Sequence, residues 1–129
     1  MHLDHFALWT TDLEQLKAFY VAHFGATAGA KYVNTRRGFE SYFLSFEGGA
    51  RLEIMMQPDV GAGHAGRAAP LAGYAHLAIA VGSVEEVDAL TESLRAAGHI
   101  VAGEPRWTGD GYYESVVLDP DGNQIELTV

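Results

Sequence analysis

The sequence predicts an α+β fold made of two copies of one strand–helix–strands unit. Three observations predict it: a gapless internal match, a second match upstream of it, and a stretch rich in Gly, Ala and Pro between the copies. "GFESYFLSFEGGARLEI" (Gly38 to Ile54) lies over "GYYESVVLDPDGNQIEL" (Gly111 to Leu127) at an offset of 73, so Gly38 meets Gly111, Gly49 meets Gly122 and Glu53 meets Glu126. Upstream, "HFALWTTDLEQLKAFYVAHFGA" from His5 lies over "HLAIAVGSVEEVDALTESLRAAGH" from His76, with a two-residue insertion near the helix. Self-similarity of this kind marks a duplicated structural unit.

Each copy opens on an alternating strand led by a histidine. An amphipathic helix follows. Leu13, Leu16, Phe19, Tyr20 and Phe24 fall at helical spacing in the first copy, and Val84, Val87, Leu90 and Leu94 in the second. Asp12 and Ser83 stand where N-caps belong, because a short oxygen-bearing side chain can accept from an unpaired amide of the first turn. Gly25 and Gly98 suit the helix ends. About three strands then complete each copy, the last two joined by a Gly-containing turn; in the second copy that turn is Asp119-Pro120-Asp121-Gly122. Residues 1–56 form the first module, 57–73 a linker and 74–129 the second module, together one domain.

The composition narrows the functions open to the chain. With 129 residues and 48% hydrophobic content it can bury a core. A net charge of −9 opposes nucleic-acid binding, which needs a basic footprint. No cysteine is present, which excludes disulfides, thiolate metal sites and a cysteine nucleophile. Phosphate-cradling glycine motifs and the G-x-S-x-G elbow are absent, so nucleotide binding and serine hydrolysis start low. "MHLDHFALW" lacks the regions of a secretory signal and no apolar run reaches membrane-span length, so the expectation is a cytoplasmic protein without membrane contact.

Strand parity brings out a site. His5, Ala7 and Trp9 share one face of the first strand; His76, Ala78 and Ala80 share the equivalent face in the second copy. Glu53 lies with Arg51, Met55 and Gln57, and Glu126 with Gln124 and Thr128, while the intervening residues are apolar and belong under the helices. A single histidine on a strand is more often structural, and a single glutamate on an open face is more often solvated. Here the pair recurs, 48 residues apart in one copy and 50 in the other, among small or polar neighbours that leave room. Two imidazoles and two carboxylates suit one divalent ion, Zn, Ni, Co, Mn or Fe. Trp9, Met55, Trp107 and Tyr113 are candidates for an apolar-aromatic pocket, though core packing is the commoner role of each. Tyr42 and Tyr113 could donate hydrogen bonds, and His64 lies in the linker. His2, His23 and His99 have no repeat partner and read as surface residues.

The repeated H-(strand)-D-L-E-(helix)-F-Y…G-(strand)-E pattern, ending in D-P-D-G-N-Q-I-E, resembles the vicinal oxygen chelate superfamily, which includes glyoxalase I, fosfomycin-resistance proteins, bleomycin-binding proteins and extradiol dioxygenases. The resemblance spans nearly the whole chain and implies two βαβββ modules whose mixed sheets form a cup-shaped half-barrel around a metal. It assigns His5, Glu53, His76 and Glu126 as ligands. It also implies a glyoxalase-type lyase or isomerase: a small substrate, in some relatives a thiol adduct, chelates through adjacent oxygens, the metal stabilises an enediolate, and Glu126 or Glu53 serves as base. Trp9 stands where glyoxalase I usually offers an arginine to the glutathione carboxylate, and Gln57 falls near a usual asparagine. Arg36, Arg37 and Arg67 are the cations available to replace that guanidinium. The alternatives within the resemblance are a binding protein that sequesters an antibiotic or metabolite, and a thiol transferase of the fosfomycin-resistance type. Small relatives are commonly homodimers.

Overall fold

The computed structural model describes residues 2–61 and 73–129. His64, Arg67 and most of the linker lie outside the described residues. The chain divides into two compact units, Met1–Gly63 and His64–Val129.

The first unit contains β1 (His5–Trp9), α1 (Leu13–Phe24), β2 (Thr27–Ala28), β3 (Tyr32–Asn34), β4 (Phe39–Ser45) and β5 (Arg51–Met56). Its sheet runs β1-β5-β4-β2, with β3 also on β4. The second contains β6 (His76–Ala80), α2 (Val84–Ala96), β7 (Val101–Trp107), β8 (Tyr113–Leu118) and β9 (Gln124–Thr128), ordered β6-β9-β8-β7. In each sheet the opening strand pairs parallel with the closing strand and the remaining pairs are antiparallel. Both sheets are thus mixed and open, and the fold is α+β. The second unit is βαβββ. The first differs by one break: β2 pairs with Leu44 and Ser45 while β3 pairs with Phe39 to Ser41, so two short segments share one edge of β4. Gly29 sits at the break and donates its N–H to Phe43 O at 2.9 Å.

The helices begin where capping chemistry places them. Asp12 Oδ1 accepts from Gln15 N at 2.9 Å, and Ser83 Oγ accepts from Glu86 N at 3.2 Å. The first helix ends at Gly25, at a left-handed φ of 63°. The second closes one residue before the equivalent glycine: Ala97 is the C-cap, and Gly98, at φ 89°, follows it. His99 N donates to Leu94 O and Gly98 N to Arg95 O, the paired bonds that close a helix through a left-handed glycine.

Helix α1 packs on β4 and β5, and α2 on β7, β8 and β9. The buried faces alternate as the sequence predicts. Leu52 and Ile54 on β5, and Ile125 and Leu127 on β9, are 3% exposed or less, against Leu16 and Tyr20 in one unit and Val87 and Leu94 in the other. Each such side chain contributes about 1.5–3 kcal/mol on leaving water. The second helix buries Thr91 where Val84 and Leu90 stay half-buried. A hydroxyl is tolerated there because Thr91 donates to Val87 O and shares a 2.6 Å hydrogen bond with the buried Ser115.

The β8–β9 turn is organised by a buried carboxylate. Asp119 accepts from the backbone N–H groups of Asp121 (3.0 Å) and Asn123 (2.8 Å) and from Asn123 Nδ2 (2.9 Å). Burial pushes its carboxyl above the ordinary range, against the pull of the Asn123 donors. The β4–β5 turn has no such carboxylate in that place, where Phe46 stands, yet Gly49 and Gly122 adopt nearly the same φ, 81° and 83°.

Candidate functional site

The ladders place each histidine diagonally from its glutamate. On β1 and β5, His5 stands opposite Arg51 and Ala7 opposite Glu53; on β6 and β9, His76 stands opposite Gln124 and Ala78 opposite Glu126. Side chains two residues apart on a strand share a face, so each pair projects from the face away from its helix. His5 Nε2 lies 3.8 Å from Glu53 Oε2, and His76 Nε2 lies 3.1 Å from Glu126 Oε2. Both histidines are 38% exposed, and the glutamates 17% and 21%. The antiparallel partners also correspond: Phe43 stands opposite Glu53 and Val116 opposite Glu126, an offset of 73 in both rungs.

Around His5 the first unit builds more than the pair. Asp4 Oδ2 lies 2.8 Å from His5 Nδ1 and accepts from Arg51 Nη2 at 2.6 Å. These two bonds, that from His5 foremost, hold the Asp4 carboxyl below its ordinary value. The Arg51 guanidinium sits 4.4 Å above the Phe43 ring, and Phe43 meets the His5 ring edge-on at 5.3 Å. Further along the same face, Trp9 is paired with Met55 in the ladder and packs against Phe39, which also meets Tyr32. Trp9 and Tyr32 are 47% and 55% exposed. Gln57 lines a shallow groove of about 360 Å³ with Thr11, Gly38, Met56, Pro58 and Val60.

The second unit surrounds its pair differently. Ala75 precedes His76, and among the described residues no carboxylate meets His76 Nδ1. Glu114, on the same face of β8 as Val116, is only 14% exposed and pairs with Arg106 at 3.3 Å. Its equivalent in the first unit is the buried Ser41.

Tyr113 is not brought to the face that carries His76 and Glu126. It lies on the helix side of β8, with Ser115 and Val117, and donates to Asp88 of α2 at 2.8 Å. This bond, more than burial, raises its phenol above the ordinary value. Trp107 leans on the Tyr113 ring at 5.2 Å. Tyr42 behaves alike, donating to Glu14 of α1 at 2.9 Å. Arg36 and Arg37 are exposed in the β3–β4 turn. His2 is exposed, whereas His23 and His99 are half-buried, His23 against Phe19.

Asp4 and Arg51 are the site residues that sequence reasoning missed. The available signal was an acid directly before the strand histidine, with an arginine directly across the ladder from it.

Each pair suits a divalent ion in donor chemistry. Metal–ligand bonds of about 2.0–2.2 Å set neighbouring ligand atoms roughly 3–3.5 Å apart; the 3.1 Å of His76 and Glu126 falls within that range and the 3.8 Å of His5 and Glu53 lies above it. Among the described residues no group of three or more potential ligands forms, so each unit offers two.

The fold has close structural counterparts. Glyoxalase I from Zea mays matches 98% of this chain at 23% identity with a TM-score of 0.79, and the match covers 44% of that enzyme, so the chain spans less than half its length. The trypanothione-dependent glyoxalase I of Leishmania major matches 99% of this chain and 86% of its own, at 24% identity and a TM-score of 0.77. The protein SMU.1112c matches over 100% and 98% of the two chains, at 26% identity and a TM-score of 0.82. No curated protein matches the sequence. The sequence profile of the Glyoxalase/Bleomycin resistance protein/Dioxygenase superfamily matches residues 2–127, and the chain belongs to that superfamily.

Proposed function

We propose that the protein is a metal-dependent lyase or isomerase of glyoxalase type, acting on a small substrate that chelates through adjacent oxygens. The observation that carries this reading is the duplicated His–Glu pair, His5 with Glu53 and His76 with Glu126, on equivalent rungs of two ladders. These four side chains would hold one divalent ion, Zn, Ni, Co, Mn or Fe. When bound, such an ion supplies Lewis-acid stabilisation of negative charge developing on a substrate oxygen. Glu126 or Glu53 takes a proton from the substrate carbon and returns it to the neighbouring carbon, while the other carboxylate serves as ligand. Trp9 and Met55 exclude water on the first unit's face, and Gln57 offers an amide in the adjoining groove. The working form is a homodimer in the cytoplasm, with no nucleic-acid or membrane partner; no described helix is long and apolar enough to cross a membrane.

Metal content per chain, measured on protein purified without chelator, tests the reading. Near-stoichiometric metal in the wild type and its loss in Glu126→Ala are expected, with turnover of a 2-oxoaldehyde plus thiol under at least one metal. Little metal after reconstitution, or none lost in the variant, would sink it. A second reading, sequestration of an aromatic ligand without chemistry, draws support from the exposed Trp9–Phe39–Tyr32 strip. Saturable binding that survives complete metal removal, together with no turnover, would favour that reading.

A further inference from the structure

We infer that Asp4 is a positioning residue that fixes the tautomer of His5 and so prepares one half of the site before any ion arrives. The inference rests on the ligand reading above for its purpose, but its geometry stands within the first unit alone. An ionised carboxylate only accepts hydrogen bonds, so the 2.8 Å contact of Asp4 Oδ2 with His5 Nδ1 requires the proton on Nδ1. The lone pair of the neutral ring then lies on Nε2, the nitrogen that faces Glu53. Histidines that ligate metals ordinarily have the other ring nitrogen held in this way, which orients the ring and strengthens its basicity.

Asp4 is itself held twice by Arg51. Arg51 donates to its carboxylate from Nη2 at 2.6 Å and to its carbonyl from the backbone N–H at 3.1 Å. The guanidinium is in turn seated on Phe43, whose ring also meets His5. Asp4, His5, Phe43 and Arg51 therefore close a ring of contacts around the imidazole. In the second unit Ala75 replaces the acid and Gln124 the arginine, and the carboxylate beside the ring, Glu126, lies 3.1 Å from Nε2, the nitrogen that would ligate, so it draws the proton there and not to Nδ1. The two histidines are thus unequal: His5 is prepared by its neighbours, and His76 acquires its ligand form only on binding.

Nitrogen-15 NMR of histidine-labelled, metal-free protein at about pH 8, where imidazoles are neutral, tests this directly. The expected result is an Nδ1–H tautomer for His5 in the wild type, a mixture in Asp4→Ala, and recovery in Asp4→Asn, whose amide oxygen still accepts. Titration with Zn(II) or Co(II) should then show affinity about 10–100-fold weaker for Asp4→Ala, with Asp4→Asn in between. An unchanged tautomer in Asp4→Ala overturns the inference whatever the metal result. Equal metal affinity of wild type and Asp4→Ala overturns it as well. A wild type that binds neither ion, with the tautomer shift intact, strikes the ligand reading and leaves the positioning role of Asp4 standing.

Discussion

The two units carry their His–Glu pairs on the same rungs and surround them with different chemistry. In the first, the imidazole is held by Asp4, Arg51 and Phe43 and opens onto an aromatic strip. In the second, the acid of the pair lies 3.1 Å from its histidine, with Glu114 on the neighbouring strand β8 paired to Arg106 of β7, and no holding group at Ala75. Backbone register, which follows from the alternation of apolar residues, is shared. Side chains that the core does not need have diverged. The comparison separates what the duplicated scaffold must keep, the buried face and the turn glycines, from what each half can vary around a common His–Glu pair.

The largest effects should come from the shared part. Ile54 and Leu127 are equivalent and fully buried, and truncation of either to alanine should cost about 2–5 kcal/mol in denaturant unfolding. The two losses should agree within about 1 kcal/mol, since the rungs around them match. A wider gap would show that one core collapses around its cavity and the other does not, which would break the claim of matched cores.

A smaller effect should separate the turns. Asp119→Ala leaves three N–H donors of the second unit's turn without their acceptor, and should cost about 2–3 kcal/mol. The first unit spans the same turn with Gly48 and Gly49 and no equivalent acid. Loss of less than about 0.5 kcal/mol would mean that the turn glycine alone suffices in both halves.

The smallest effect concerns how each helix is tied to its sheet by a tyrosine. Glu14 is held down at about 2 from an ordinary 4.5, chiefly by Lys17, with the Tyr42 hydroxyl adding a second bond. A lowered carboxyl stabilises the fold above its unfolded value and loses that contribution as pH falls from about 4.5 to about 2. Glu14 itself is exposed, so the contribution is modest. The melting temperature of Glu14→Gln should therefore fall slightly below wild type at neutral pH, and the two curves should converge toward pH 2. A difference that stays constant through the acid range would remove the ionised Glu14 from the account.

Much of this architecture was legible in the sequence. Alternation assigned the buried and open faces of β1, β5, β6 and β9, and the caps Asp12 and Ser83 fixed the helix starts, because these signals are local. The same parity rule, extended to β4 and β8, puts Tyr42 with Leu44 and Tyr113 with Val117, on the helix side where the structure has them. The break between β2 and β3 was not legible, since two- and three-residue strands carry too little pattern. Thr91 was missed because its burial depends on Ser115, 24 residues away. Asp4 was missed for a related reason: an exposed acid reads as solvated until its partner across the ladder is known.

The diagonal placement of His5 and Glu53 has a consequence for change over time. Glu53 alternates with Leu52 and Ile54, so a one-residue insertion within β5 would turn the carboxylate under the helix and push two core residues outward. The letters that specify the His–Glu pair are thus interleaved with those that specify stability. Such a site can be erased by substitution, leaving a folded protein, but it cannot wander along the strand. Descendants of this scaffold are free to change the side chains around the pair, while the address of the pair stays where folding put it.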